Sequence, residues 1–113
     1  MRDILDVRDL IRAYDMALQQ IDVTAGEIYN IGGGRNNAMS LLDLLDFLTL
    51  KLDHQLSYKF SDWRPGDQRV FVSNCAKACS DFGWEPTIRP ADGVSNLVDW
   101  VLEYRDTIEK TLG

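Results

Sequence analysis

Glu27-Ile28-Tyr29-Asn30-Ile31-Gly32-Gly33-Gly34-Arg35-Asn36-Asn37 is the stretch on which the reading of this chain turns. Glu27 to Ile31 is short and rich in apolar and aromatic side chains, which predicts a strand. Three glycines end it and predict a loop. Ser40 then opens a helix, with Asp43 three residues on in a capping arrangement. A glycine loop between a strand and a helix invites a phosphate reading, because backbone N–H groups at a helix start attract anions. The dinucleotide fingerprint G-x-G-x-x-G needs a third glycine where Asn37 stands. No acidic residue ends a second strand about twenty residues later either. A flexible strand-to-helix connection is the favoured reading of this loop.

Upstream, Val7, Leu10, Ile11, Tyr14, Ala17, Leu18 and Ile21 recur at helical spacing and predict a helix over 7–21. Asp6 is placed as its N-cap, and Asp9 favours the helix dipole. Gly26 closes the turn that follows. Downstream, Ser40 to Leu52 is apolar on nearly every face, with Asp43, Asp46, Thr49 and Lys51 among its few polar residues. A helix of that kind is normally covered on more than one side, so it is expected to pack against something beyond these residues. Leu56 to Phe60 and Gln68 to Ser73 read as strands either side of the turn Asp62-Trp63-Arg64-Pro65-Gly66-Asp67. A short helix is expected over 74–82, stopped by Gly83, and a last one from Pro90 with its stripe running to Ile108.

The chain has 113 residues, 45% hydrophobic and 27% charged, which is ordinary globular composition for one domain or part of one. No apolar run approaches the roughly 20 residues of a membrane span. No basic-then-apolar leader is present, so a cytoplasmic location is expected. Two cysteines without a Cys/His cluster give neither a disulfide scaffold nor a zinc site, and no metal is expected. A net charge of −6 argues against a nucleic-acid partner. Fourteen of the 18 acids are Asp and eight of the 12 bases are Arg. Arginine suits planar contacts to phosphate or carboxylate, so an anionic ligand would require several of them in one place.

Cys75 and Cys79, one helical turn apart, read as buried small side chains. His54 sits alone in a polar turn, which leaves a Ser-His-Asp or Cys-His mechanism without support, and no catalytic residue is assigned. Lys59, Arg64 and Arg69 fall close together around Trp63 and a Pro-Gly turn. Arg64 can present a guanidinium fork to a phosphate, with Asp67 accepting from sugar hydroxyls. Equally, the two can pair and stabilise their own turn, and the residues alone leave both open.

Three motifs in order carry a resemblance: Arg2-Asp3 with Val7-Arg8-Asp9-Leu10; Gly26-Glu27-Ile28-Tyr29-Asn30-Ile31-Gly32; and Arg64-Pro65-Gly66-Asp67 followed by Lys77 and Phe82-Gly83-Trp84. Together they resemble the extended short-chain dehydrogenases/reductases, the NAD-dependent nucleotide-sugar epimerases and dehydratases, over nearly the whole chain. The run from Asp62 to Ser73 looks most like the CDP-paratose/CDP-tyvelose 2-epimerase branch. The resemblance implies an α/β fold in which residues 1–113 form the C-terminal substrate-binding lobe of the Rossmann-type enzyme, mainly helices with a few short strands. The NAD loop and the Tyr-x-x-x-Lys pair of the N-terminal Rossmann part are not found: Leu18, Gly33, Asp62 and Ile108 stand four residues after the tyrosines. No cofactor is therefore expected to bind here, NAD belonging to the other lobe. Substrate-binding roles are implied for Arg64, on the diphosphate, and Asp67, on the nucleotide ribose. The implied partners are a nucleotide-diphosphate sugar and, through an uncovered sheet edge, a second copy of the chain.

Overall fold

A computed structural model describes residues 1–112. Its elements are β1 (Arg2–Asp3), α1 (Val7–Gln19), α2 (Ile21–Thr24), a single 3-10 turn (Arg35–Asn37), β2 (Ala38–Met39), α3 (Leu41–Leu52), α4 (Ala76–Phe82), α5 (Pro90–Glu103) and α6 (Arg105–Leu112). β1 and β2 pair antiparallel, Arg2 opposite Met39 and Asp3 opposite Ala38. On its other edge β1 meets Phe71 in one parallel bridge. The architecture is thus mostly helical with a two-stranded sheet.

Local chemistry explains the helix ends. Asp6 accepts from the Arg8 amide at 2.8 Å and caps α1. Ser40 and Asp43 form a reciprocal capping box at the start of α3. Gly83, at φ 72°, ends α4 in the left-handed conformation that glycine adopts without strain. Pro90 occupies the first turn of α5. The helix expected over 7–21 breaks at Gln20, and a short second helix follows.

The three expected strands do not form as ladders. Glu27 to Ile31 and Leu56 to Phe60 form no strand and have no ladder partner among the described residues, and of Gln68 to Ser73 only Phe71 bridges. Alternation predicts a pleated segment, but pairing needs a second edge, and the described residues supply one only beside β1.

The core is small: Ala13, Ala78, Phe82 and Trp84, with Met16, Tyr29 and Ile31 against it. Tyr29 meets Phe82 edge to face at 5.0 Å. Two carboxylates, Asp9 buried and Asp3 half-buried, tie the chain around this core. Asp9, 1% exposed, accepts from the Thr87 amide at 3.0 Å, the Thr87 hydroxyl at 3.0 Å, the Ile88 amide at 2.9 Å and Arg12 at 3.1 Å. Its own carbonyl accepts from the Trp84 indole at 3.0 Å. Asp3 accepts from the Gly34 and Ser73 amides at 3.0 and 3.1 Å. Asp9 is therefore a buried acceptor that binds α1 to the segment after α4, not merely a charge favouring the helix dipole.

The glycine loop is a close crossing rather than a flexible connection. A Cβ on Gly33 would run into the Ile4 carbonyl, and one on Gly32 into the Ser73 side chain. The missing side chains let the loop lie directly on the backbone after β1.

Much apolar surface stays uncovered. α1 buries Asp9 and Ala13 while Val7, Ile11, Tyr14 and Leu18 of its apolar stripe face outward. No residue of α3 is buried, and Leu50 is 83% exposed. The accessible surface is 8835 Å², against about 6,300 Å² for a folded monomer of this mass. The radius of gyration is 17.0 Å, against about 13 Å for a compact domain of this length. The described residues thus leave the leucine-rich helix uncovered on its apolar faces.

Burial pushes the Asp9 carboxyl up, but the Ile88 amide, Arg12 and Thr87 outweigh it and hold the pKa below the ordinary value. The carboxylate's contribution is then complete above the unfolded value of about 3.9 and lost as pH falls through the lower folded one. Asp9→Asn is expected to destabilise the chain by about 2–3 kcal/mol near neutrality, and the difference from wild type to shrink below about pH 4. Urea melts at several pH values measure both.

Candidate functional site

Arg64-Pro65-Gly66-Asp67 forms a tight turn. The Asp67 amide donates to the Arg64 carbonyl at 3.1 Å, and Gly66 has φ 77°. Proline followed by a glycine of positive φ is the sequence that such a turn requires. The turn borders a cleft of about 310 Å³, lined by Trp63, Arg64, Asp67 and Arg69 together with Arg2 and Leu44.

Three guanidiniums and one carboxylate meet there. Arg2 lies 3.6 Å from Asp67 and donates to the Gln68 carbonyl at 3.1 Å. Arg64 lies 3.4 Å from the other Asp67 oxygen, with its side chain 85% exposed. Arg69 stacks over Trp63 at 5.2 Å. An acidic chain thus gathers three of its arginines at one opening. The paired and the ligand-ready readings of Arg64 coexist in this geometry, since a long, exposed ion pair leaves most of the guanidinium edge available.

Arg64 and Arg69 come together as their spacing suggests, whereas Lys59 lines an adjoining apolar trough with Tyr58 and Phe60. Arg2 was not among the sequence candidates. Its only signal is membership of the first motif; the pairing of β1 beside residues 68–71, far along the chain, is what delivers it to the cleft.

The other candidate groups lie elsewhere. His54 is exposed in its turn. Cys75 is half-buried, its thiol pushed up chiefly by desolvation, but Cys79 is exposed, contrary to the expectation that both are covered. Cys75, the N-cap residue of α4, donates its thiol to the Gly32 carbonyl at 3.5 Å, and Cys79, one turn on, makes no such contact. Tyr29 has Lys77 over its ring at 5.0 Å and donates to Asp81 at 2.7 Å. Desolvation and the Asp81 carboxylate push the phenol up to about 12, so it stays protonated and is unsuited to act as a base near neutrality. No group of His, Cys, Asp and Glu among the described residues can hold a metal ion.

Over 100 residues, 88% of its length, the chain is 34% identical to CDP-paratose 2-epimerase of Salmonella typhi, covering 30% of that protein. The chain belongs to the nucleotide-sugar epimerase and dehydratase family. UDP-glucose 4-epimerase of Bacillus subtilis is 31% identical over 75% of the chain, and dTDP-glucose 4,6-dehydratase of Streptomyces antibioticus 33% identical over 92%. The chain spans between a quarter and a third of the length of these curated relatives: 30%, 25% and 31%. No family model matches it. Among the described residues no helix is long and apolar enough to cross a membrane.

An exposed surface pair contributes at most about 1 kcal/mol. Arg64→Ala is therefore expected to change the urea midpoint little, by the equivalent of under about 1 kcal/mol. A larger loss would assign Arg64 to its own turn.

Proposed function

We propose that the chain is the nucleotide-sugar-binding lobe of an NAD-dependent epimerase, most like the CDP-paratose/CDP-tyvelose 2-epimerases, with Arg64 holding the diphosphate and Asp67 a ribose hydroxyl. The observation that carries the reading is the gathering of Arg2, Arg64 and Arg69 around one cleft in a chain of net charge −6. Two forks flanking a carboxylate suit a diphosphate next to a hydroxyl-bearing sugar: the guanidiniums take the charge and Asp67 accepts from an O–H. Tyr58, Phe60 and Trp63, continuous with the cleft, offer apolar walls beside it.

In such an enzyme NAD supplies hydride transfer at the sugar. The residues of this chain do not fit that cofactor. Gly32 and Gly33 lie with their backbones against Ser73 and Ile4, which leaves no dinucleotide cradle at those two residues, and the sequence holds no Tyr-x-x-x-Lys pair. Binding and orientation of the nucleotide end are the work assigned to this lobe.

Calorimetric titration of the chain with CDP- and UDP-sugars tests the proposal. Weak binding is expected, reduced about tenfold or more by Arg64→Ala, with no heat on adding NAD. Equal affinity of wild type and variant removes Arg64 from the site, and tight stoichiometric NAD binding defeats the lobe assignment.

The bare apolar faces of α1 and α3 favour a second reading, a self-associating module. It predicts concentration-dependent sedimentation in the micromolar range; a clean monomer there removes it.

A further inference from the structure

The glycine loop borders a second cavity that the nucleotide-sugar reading leaves unused. It measures about 290 Å³ and lies between Gly33–Asn37 and Glu85–Arg89. It shares no lining residue with the Arg64 cleft; Asn37 lines this cavity and Met39, two residues on, the other.

Both walls are fixed. The Asn37 side-chain amide donates to the Gly33 carbonyl at 2.8 Å, and the Gly34 amide donates to Asp3. Opposite, Asp9 holds the Thr87 and Ile88 amides, and Arg12 donates to the Glu85 carbonyl.

The arginines divide unevenly. Of the eight in the chain, Arg2, Arg8, Arg12, Arg64 and Arg105 are in ion pairs, and Arg69 lies over Trp63. The remaining two, Arg35 and Arg89, have no ion-pair partner among the described residues, and both line this one cavity, one from each of its two lining segments. Glu85 is the one acidic residue of the lining, so the local formal charge is positive in a chain of net charge −6.

We infer that this cavity is an anion site for a phosphate group, held between the Arg35 and Arg89 guanidiniums. Two guanidinium forks in the lining of one cavity match a tetrahedral dianion better than a single carboxylate. The volume is that of a small ligand's pocket and too small for a whole dinucleotide. Free phosphate and a small phosphomonoester share this chemistry.

The test is an amide-shift titration of the isotopically labelled chain with inorganic phosphate and, separately, glycerol phosphate. Saturable shifts are expected at residues 33–37 and 85–89, weakened about tenfold or more in Arg35→Gln/Arg89→Gln and unchanged in Arg64→Ala. Both arginines are exposed, so the double variant is expected to melt like wild type. A tighter response to glycerol phosphate assigns the site to esters, and a tighter response to the inorganic ion assigns it to free phosphate. Shifts confined to the Arg64 cleft, an equal response to chloride, or a double variant that titrates like wild type overturns the inference. Because Arg64→Ala separates the two sites, failure here leaves the nucleotide-sugar reading standing, and the reverse.

Discussion

The buried Asp9 carboxylate is the interaction on which the described fold depends. The core holds four buried apolar residues, too few to order six helices by apolar burial alone. Asp9 supplies what burial does not: one side chain on α1 gathers two backbone amides, a hydroxyl and a guanidinium, three of these partners lying nearly eighty residues away. Trp84 fills the space beneath and donates to the same residue's carbonyl. The sequence carried this pairing as two of its motifs, Val7-Arg8-Asp9-Leu10 and Phe82-Gly83-Trp84, whose juxtaposition shows what they do.

Legibility followed the range of the interactions. Helix ends were readable because their chemistry is local: Asp6, the Ser40 and Asp43 box, Gly83 and Pro90 all act within a turn of their own position. Strands were not, since alternation in Leu56 to Phe60 describes a surface and says nothing of its neighbour. The apolar stripe of α1 misled in a related way. It marks a face that wants cover, yet among the described residues the covered face is that of Asp9 and Ala13. The glycine loop also gave up only half its meaning, because the need for glycine at Gly33 comes from Ile4, brought up by β1 beside β2.

The candidate site shows the same division. Arg64 and Asp67 were visible as a rigid turn bearing opposite charges. Arg2 was visible only as a motif letter, and its place 3.6 Å from Asp67 is a product of tertiary pairing. Most acids are scattered as caps and surface groups, while five of the eight arginines line two openings, Arg2, Arg64 and Arg69 at one and Arg35 and Arg89 at the other.

The surface left wet by the folded chain has a thermodynamic consequence. With 8835 Å² still hydrated, unfolding exposes only about half of the extended chain's area instead of the usual two-thirds. The heat-capacity increment and the denaturant slope both scale with newly hydrated area. By that scaling the chain by itself is expected to unfold in a broad, shallow transition with a flattened stability curve, and any body that seals its bare helices to sharpen that transition by restoring the missing area change.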